Sequence, residues 1–256
     1  MNTTKKEKIN FPKMSCNKRN LLKTRSVFYL FLFLMNVPAF SQSPSGTTGS
    51  WLMCFNQTRL HDKWSIHAEA QYRSFETTPN IEQLLLRGGI NYHINNAAYA
   101  SIGYAYVTNY AFDKEQLSGV QVFENRIWQQ FLMRNTLGRG LFEHRYRLEQ
   151  RTIQSNNNSR YLDRIRYLFR VTVPLNKKEI KKNTLFLSFY DEIFINLTSS
   201  PYDRNRLYGA IGYQFLPNAN IQIGYLAQTV NITTKQYLQV AVFYNIDFRE
   251  AEIAAK

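Results

Sequence analysis

The stretch Trp64-Ser65-Ile66-His67-Ala68-Glu69-Ala70-Gln71-Tyr72-Arg73 alternates apolar and polar residues without a break. Successive side chains of an extended chain point to opposite sides. Trp64, Ile66, Ala68, Ala70 and Tyr72 therefore share one face, and Ser65, His67, Glu69, Gln71 and Arg73 share the other. About nine to eleven tilted residues cross a hydrocarbon core, whereas ordinary strands average about five or six. The stretch reads as a long, one-sided strand.

The same pattern runs to the end of the chain. Leu84, Leu86, Ile90 and Tyr92 fall on one face, then Ile102, Tyr104, Tyr106 and Tyr110. Phe142, His144, Tyr146 and Leu148 follow, then Ile165, Tyr167, Phe169, Val171 and Val173. The last strand places Leu238, Val240, Val242, Tyr244, Ile246 and Phe248 together. Tight connections are expected at His61–Lys63, Asn95–Ala97, Asn135–Gly140 and Pro217–Asn220. Looser ones are expected at Thr77–Asn80, Ala111–Gln121, Ile153–Ser159 and Leu197–Asp203. The Lys-rich run Asn176–Asn183 falls in a short-turn slot yet is long.

So many long, one-sided strands need closure, because an open sheet edge has no hydrogen-bond partner where water is absent. The expected fold is all-β, an antiparallel up-and-down transmembrane β-barrel. Eleven segments are countable, starting with Trp51–Thr58. Single-chain bacterial barrels have even strand numbers, so ten or twelve strands are expected. The aromatic content of 15%, mostly Tyr and Phe, suits a β-rich chain with rings at membrane interfaces.

The first residues read differently. Eight Lys and Arg residues from Lys5 to Arg25, broken only by Glu7, precede the apolar run Val27–Val37 and the small-residue site Ala39-Phe40-Ser41. This order is that of a cleaved secretory signal. Eleven residues rise only about 16 Å as a helix, too short to span a bilayer. The long lead-in allows translation to begin at Met14. The expected layout is a signal peptide over 1–41, a short linker over 42–49, a barrel over 50–248 and a tail over 249–256. Removal of the signal halves the formal charge of +14 to about +7, which is no nucleic-acid footprint. Cys54 is the only thiol left after cleavage, so no internal disulfide is expected.

The polar faces concentrate arginine and glutamate. Glu124 and Arg126 share a face, as do Glu143, Arg145, Arg147, Glu149 and Arg151. Arg164, Arg166 and Arg170 follow, then Glu192, then Arg204 and Arg206. In a barrel these residues point inward. Rings of arginine select anions, so one expectation is a constriction for a small anionic solute. The simpler one is a plug of mutually paired charges, since buried charges persist only if paired. Arginine is in excess, which leaves guanidinium groups for a ligand or water.

No Gly-x-Ser-x-Gly elbow, His-Glu-x-x-His helix or Cys-x-x-Cys pair occurs. No cofactor, metal or nucleic-acid partner is expected. The four histidines are dispersed. His67 shares a face with Ser65, the nearest thing to a nucleophile and base.

Five ordered motifs carry a family resemblance: Phe123-Glu124-Asn125-Arg126-Ile127-Trp128-Gln129-Gln130, His144-Arg145-Tyr146-Arg147-Leu148-Glu149-Gln150-Arg151, Arg164-Ile165-Arg166-Tyr167, Tyr190-Asp191-Glu192-Ile193-Phe194-Ile195-Asn196 and Asp203-Arg204-Asn205-Arg206-Leu207-Tyr208. The series resembles domain-of-unknown-function family 2490, exported proteins regarded as outer-membrane barrels, over Trp51 to Phe248. The resemblance implies the cell outer membrane and its lipid as surroundings, and implies no activity. Outer-membrane barrels also resemble one another in a last strand ending on an aromatic, which the barrel-assembly machinery reads. Tyr244, Ile246 and Phe248 are similar to that signal, although Arg249–Lys256 continue past it.

The leading expectation is thus an outer-membrane barrel with a structural or permeation role. The alternatives are a soluble exported lipocalin-like barrel with an apolar cavity, and a barrel enzyme acting on membrane lipids.

Overall fold

A computed structural model of the chain describes residues 48–249, apart from 78–79, 114–118, 157 and 199. The expected signal over 1–41, most of the expected linker and the tail beyond Arg249 lie outside the described residues. Eleven strands follow one another among the described residues: β1 (Gly49–His61), β2 (Trp64–Ser74), β3 (Ile81–His93), β4 (Ala98–Tyr110), β5 (Val120–Leu137), β6 (Gly140–Ser155), β7 (Asn158–Pro174), β8 (Thr184–Asn196), β9 (Tyr202–Leu216), β10 (Ala219–Val230) and β11 (Thr233–Asp247).

Each strand pairs with its sequence neighbours in antiparallel fashion, and β1 closes on β11. The expectation of ten or twelve strands is corrected to eleven. With an odd number, an up-and-down chain brings its first and last strands together in the same direction. The β1–β11 seam is accordingly parallel, with continuous register from Gly49↔Tyr237 to Arg59↔Asp247. Closure requires only that both edges find a hydrogen-bond partner, and a parallel ladder supplies one.

The C-terminal end reinforces this seam. The Phe248 amide donates to the Arg59 carbonyl at 3.0 Å. Arg249 then bridges Asp62, in the β1–β2 turn, at 2.9 Å and Asp247 at 2.5 Å. That hydrogen bond from Arg249 holds the exposed Asp62 carboxyl below the usual carboxylate range. The first residue past the terminal aromatic is therefore a clip across the seam.

Turn chemistry explains where strands end. Gly138 adopts φ +60°, and the β5–β6 hairpin needs only residues 138–139. Asn156 and Asn231 take positive φ for the same reason. The loose connection expected over Ile153–Ser159 is instead short, because Ile153–Ser155 and Asn158–Ser159 extend the ladder between β6 and β7. The long β7–β8 connection is braced. Asn176 accepts from the Leu185 amide at 2.9 Å and donates to the Asn183 carbonyl at 3.1 Å. Arg139 from the neighbouring hairpin donates to the carbonyls of Pro174 and Leu175 at 2.9 Å.

The face assignments hold. Leu86, Ile102, Ile127, Phe189, Ile211 and Ile223 point outward and are exposed, while Glu69, Arg126, Arg147, Glu149, Arg166 and Glu192 are buried inside. One close approach shapes the interior. Gly89 and Gly103 are register partners on β3 and β4, and the Trp128 ring lies across them. A Cβ on Gly89 would sit 2.6 Å from that ring, and one on Gly103 would overlap both the ring and the Gly88 carbonyl oxygen. Gly103→Ala is therefore expected to destabilise the barrel by about 1–3 kcal/mol. Gly88→Ala, whose Cβ would come within only 3.9 Å of the His67 carbonyl oxygen, an ordinary contact, should stay near the parent value. Urea midpoints of the two variants read the difference.

Candidate functional site

The register turns the sequence's charged faces into a network. On β6 and β7, Glu149 stands opposite Arg164, and Arg147 opposite Arg166. The Glu149 carboxylate, 0% exposed, accepts from Arg164 Nη2 at 2.5 Å and from Arg166 Nη1 at 2.6 Å. Arg166 turns its Nη2 to Glu192 on β8 at 2.6 Å, and Glu192 also takes Arg145 at 2.8 Å. Arg164 turns its Nη1 to Asp203 on β9 at 2.7 Å. One chain of charge thus runs across four strands from Arg145 to Asp203. Planar guanidinium groups suit this role, since a single fork can serve two carboxylates.

A second unit forms on β5 and β6. Arg126 and Arg151 face each other directly, two like charges in register. Glu124, one step along, resolves the conflict by accepting from Arg126 at 2.7 and 2.9 Å and from Arg151 as well. At the turn end, Glu143 takes Arg134 at 2.8 Å and Arg170 at 3.5 Å. Arg204 pairs with Asp203 at 3.1 Å, and Arg206 approaches Glu192 only to 3.8 Å. The structure therefore gathers all thirteen sequence-predicted residues inside one barrel and gives each an ion pair in one of three groups, centred on Glu149 and Glu192, on Glu124 and on Glu143.

Several interior residues were not among those candidates. Glu69 on β2 accepts from Arg87 on β3 at 2.8 Å, and Arg134 and Asp203 supply further partners. Aromatic rings space the arginines apart. Phe194, 1% exposed, has the guanidinium carbons of Arg166 and Arg206 at 4.3 and 4.7 Å from its ring centre. Trp51 and Trp128 play the same part for Arg73 and Arg147. The parity of their strands carried the signal, because Phe194 lies two residues from Glu192 and Trp128 two from Arg126.

A cavity of about 580 Å³ occupies the interior. Its lining extends from Asn109 and Arg160 near the end bearing the β4–β5 and β6–β7 loops to Asn220 and Asn245 near the opposite end. Among the described residues that lining holds thirteen arginines against four glutamates. Even with Glu149 and Asp203 added as partners, the interior is strongly cationic. Bridging narrows the lumen without neutralising it.

A Ser–His contact is also present, though not the one that shares a strand face. Ser65 Oγ lies 2.7 Å from Nε2 of His93, and Nδ1 of His93 lies 2.9 Å from Nη1 of Arg59. A guanidinium can only donate, so Nδ1 is the acceptor and Nε2 carries the proton toward Ser65. The amide nitrogens of Gln57 and Asn91 also lie 3.1 and 2.9 Å from that hydroxyl oxygen, which has lone pairs for two donors in all. This imidazole is a donor to the serine and cannot take its proton. Among the described residues, no group of His, Cys, Asp and Glu is placed to hold a metal ion.

The family model described as "Protein of unknown function (DUF2490)" matches residues 48–239. The chain belongs to this family. No curated protein and no solved structure matches it. The DUF2490 match runs from the start of β1 into β11, so the entire bridged interior lies within the family's span. Asp247, Phe248 and the Arg249 clip lie beyond it.

Proposed function

We propose that this DUF2490 protein is an integral barrel of the bacterial outer membrane, exported by a cleaved signal, and that its braced, arginine-rich lumen admits small anions. The single observation behind the membrane reading is the inversion of surface and interior. Large apolar side chains such as Leu86 and Ile211, 61% and 60% exposed, ring the outside, while buried charges fill the inside. Water penalises so continuous an apolar exterior, whereas lipid accommodates it. A lipocalin-like carrier would require apolar side chains around its cavity, and this cavity is lined by guanidinium groups.

The lumen reading rests on the charge count. Glutamates cross-link the wall and hold the arginines in place, which keeps the passage narrow. The arginine excess sets a positive potential that favours anions over cations. Lipid and the barrel-assembly machinery are the partners this reading requires, and no nucleic acid enters it.

Fractionation is the test of location. The protein should be recovered with outer membranes and should migrate faster on a gel when unheated than when boiled. Recovery in the soluble periplasmic fraction would sink the membrane reading. In planar bilayers the folded protein should carry a small current whose reversal potential, under a salt gradient, follows the anion. A folded preparation without conductance would leave the barrel as a closed, braced wall.

A further inference from the structure

We infer that the lumen contains a discrete oxyanion-binding site formed by Arg73, Arg206 and Trp51, selective for carboxylate- or phosphate-bearing solutes. The inference rests on the cationic-lumen reading above and gives it a location and a ligand class.

The argument starts from which arginines lack a counter-charge. Most of the thirteen lining arginines have a carboxylate at bridging distance. Arg73 is different. Its Nε and Nη2 donate to the neutral Gln71 amide oxygen at 3.1 and 2.5 Å, and among the described residues it has no carboxylate within 4.0 Å. Arg206 is nearly so: Nε donates to the Gln228 oxygen at 2.8 Å, and its carboxylate contact, to Glu192, is 3.8 Å long. Glu192 is already engaged at 2.6 and 2.8 Å by Arg166 and Arg145. Both residues are 7% exposed overall, so each carries a charge largely withdrawn from water without full compensation.

These two arginines lie together. Trp51 and Arg73 are direct register partners on β1 and β2. The Arg73 guanidinium carbon stands 3.9 Å from the centre of the Trp51 ring, and that of Arg206, reaching across from β9, stands 4.9 Å from it. Two like charges thus share one indole, and all three side chains line the cavity. The ring stabilises both cations through its π face, which leaves guanidinium edges for a ligand. Nη1 of Arg73 and Nη2 of Arg206 have no hydrogen-bond partner among the described residues. The Trp51 indole N–H is itself buried and lacks an acceptor. A buried donor without a partner is costly. An oxyanion set between the two arginines would supply acceptors to these groups and relieve the repulsion.

The position suits a solute arriving by water. Trp51 is the third residue of β1, and Arg73 the last but one of β2, so the pocket lies near the end of the barrel that bears the longer loops. The strand wall separates it from the outside surface, which excludes a lipid headgroup held in a leaflet. The ligand class is therefore a free small oxyanion.

Calorimetric titration of the full chain, folded in detergent micelles at constant ionic strength with chloride as background, tests the site. Inorganic phosphate and succinate serve as probes. Saturable, sub-millimolar binding of at least one is expected, weakened about tenfold or more by Arg73→Gln and by Arg206→Gln. Lys181→Gln, on the exposed β7–β8 connection, should bind like the parent. Arg73→Lys should retain part of the affinity, and the ligand-dependent change in tryptophan emission should vanish in Trp51→Phe. Heat-modifiable migration establishes that each variant is folded before it is titrated. Absence of saturable binding by the folded parent chain would overturn the site, as would binding unaffected by either glutamine variant. Failure here leaves membrane location untouched, since that is read by fractionation, and a soluble protein that still bound phosphate would overturn the membrane reading alone.

Discussion

Replacing Glu149 by glutamine is expected to lower the unfolding free energy by about 3 kcal/mol, the lower end of the range for removing one partner of a buried charge pair. The Glu149 carboxylate is 0% exposed and serves Arg164 and Arg166 at 2.5 and 2.6 Å, with Arg147 at 3.8 Å. Glutamine keeps the volume and one acceptor oxygen but removes the charge. Arg166 retains Glu192 and Arg164 retains Asp203, which is why the loss should not reach the top of the range. Arg147 is worse placed. Its firm contacts are to the neutral Gln130 oxygen at 3.0 and 2.6 Å, so losing Glu149 removes the one carboxylate within 4.0 Å of it among the described residues. The double variant Glu149→Gln/Arg147→Gln should therefore recover part of the loss, a coupling that a double-mutant cycle measures directly. The control is Glu179→Gln. Glu179 pairs with Lys181 at 3.1 Å with both side chains mostly in water, and such pairs contribute at most about 1 kcal/mol. Urea titration of the micelle-folded protein, followed by tryptophan emission, reads the parent, Glu149→Gln, Arg147→Gln, the double variant and Glu179→Gln. An unchanged midpoint for Glu149→Gln would mean that the central carboxylate does not brace the wall.

A second large effect is expected on the opposite face. Leu86→Arg lies in the middle of β3 on the outward surface, where the side chain is 61% exposed. If lipid surrounds the barrel, a charge at that depth should destabilise it by about 2–4 kcal/mol. If water surrounds it, the same change should stay within about 0.5 kcal/mol, as exposed substitutions do. The two outcomes differ enough that unfolding of the variant in lipid vesicles decides between them. Leu137→Arg, at the turn end of β5 and 73% exposed, should be tolerated in either case, because cost falls toward the interfaces. Equal, small effects at both positions would argue against a bilayer.

These two experiments probe features of unequal legibility. The outward face could be read strand by strand, because period-two alternation needs no knowledge of neighbours. Leu86 and Ile102 announce their side by parity with Leu84 and Tyr104. The same parity delivered the thirteen interior charges. It could not deliver their partners. That Glu149 meets Arg164 and Arg166 follows from the β6–β7 register, which depends on where β6 ends and β7 begins. The expected loop over Ile153–Ser159 would have moved that pairing. Arg73 illustrates the limit most sharply. Its polar face was evident, yet nothing local shows that Arg206, more than a hundred residues away, shares its tryptophan.

The strand number belongs to the same divide. Eleven segments were countable along the chain, whereas the expectation of an even total came from how barrels are usually closed. Alternation in the sequence determined the all-β class, the positions of the strands along the chain and which side of each strand is charged, because these depend on side-chain direction within one strand. Closure of β1 on β11 in parallel, the Arg249 clip, and the division of arginines into bridged and unbridged were decided only by the tertiary structure. They depend on contacts between residues distant in sequence, and a barrel sets those contacts by the registers accumulated around its whole circumference.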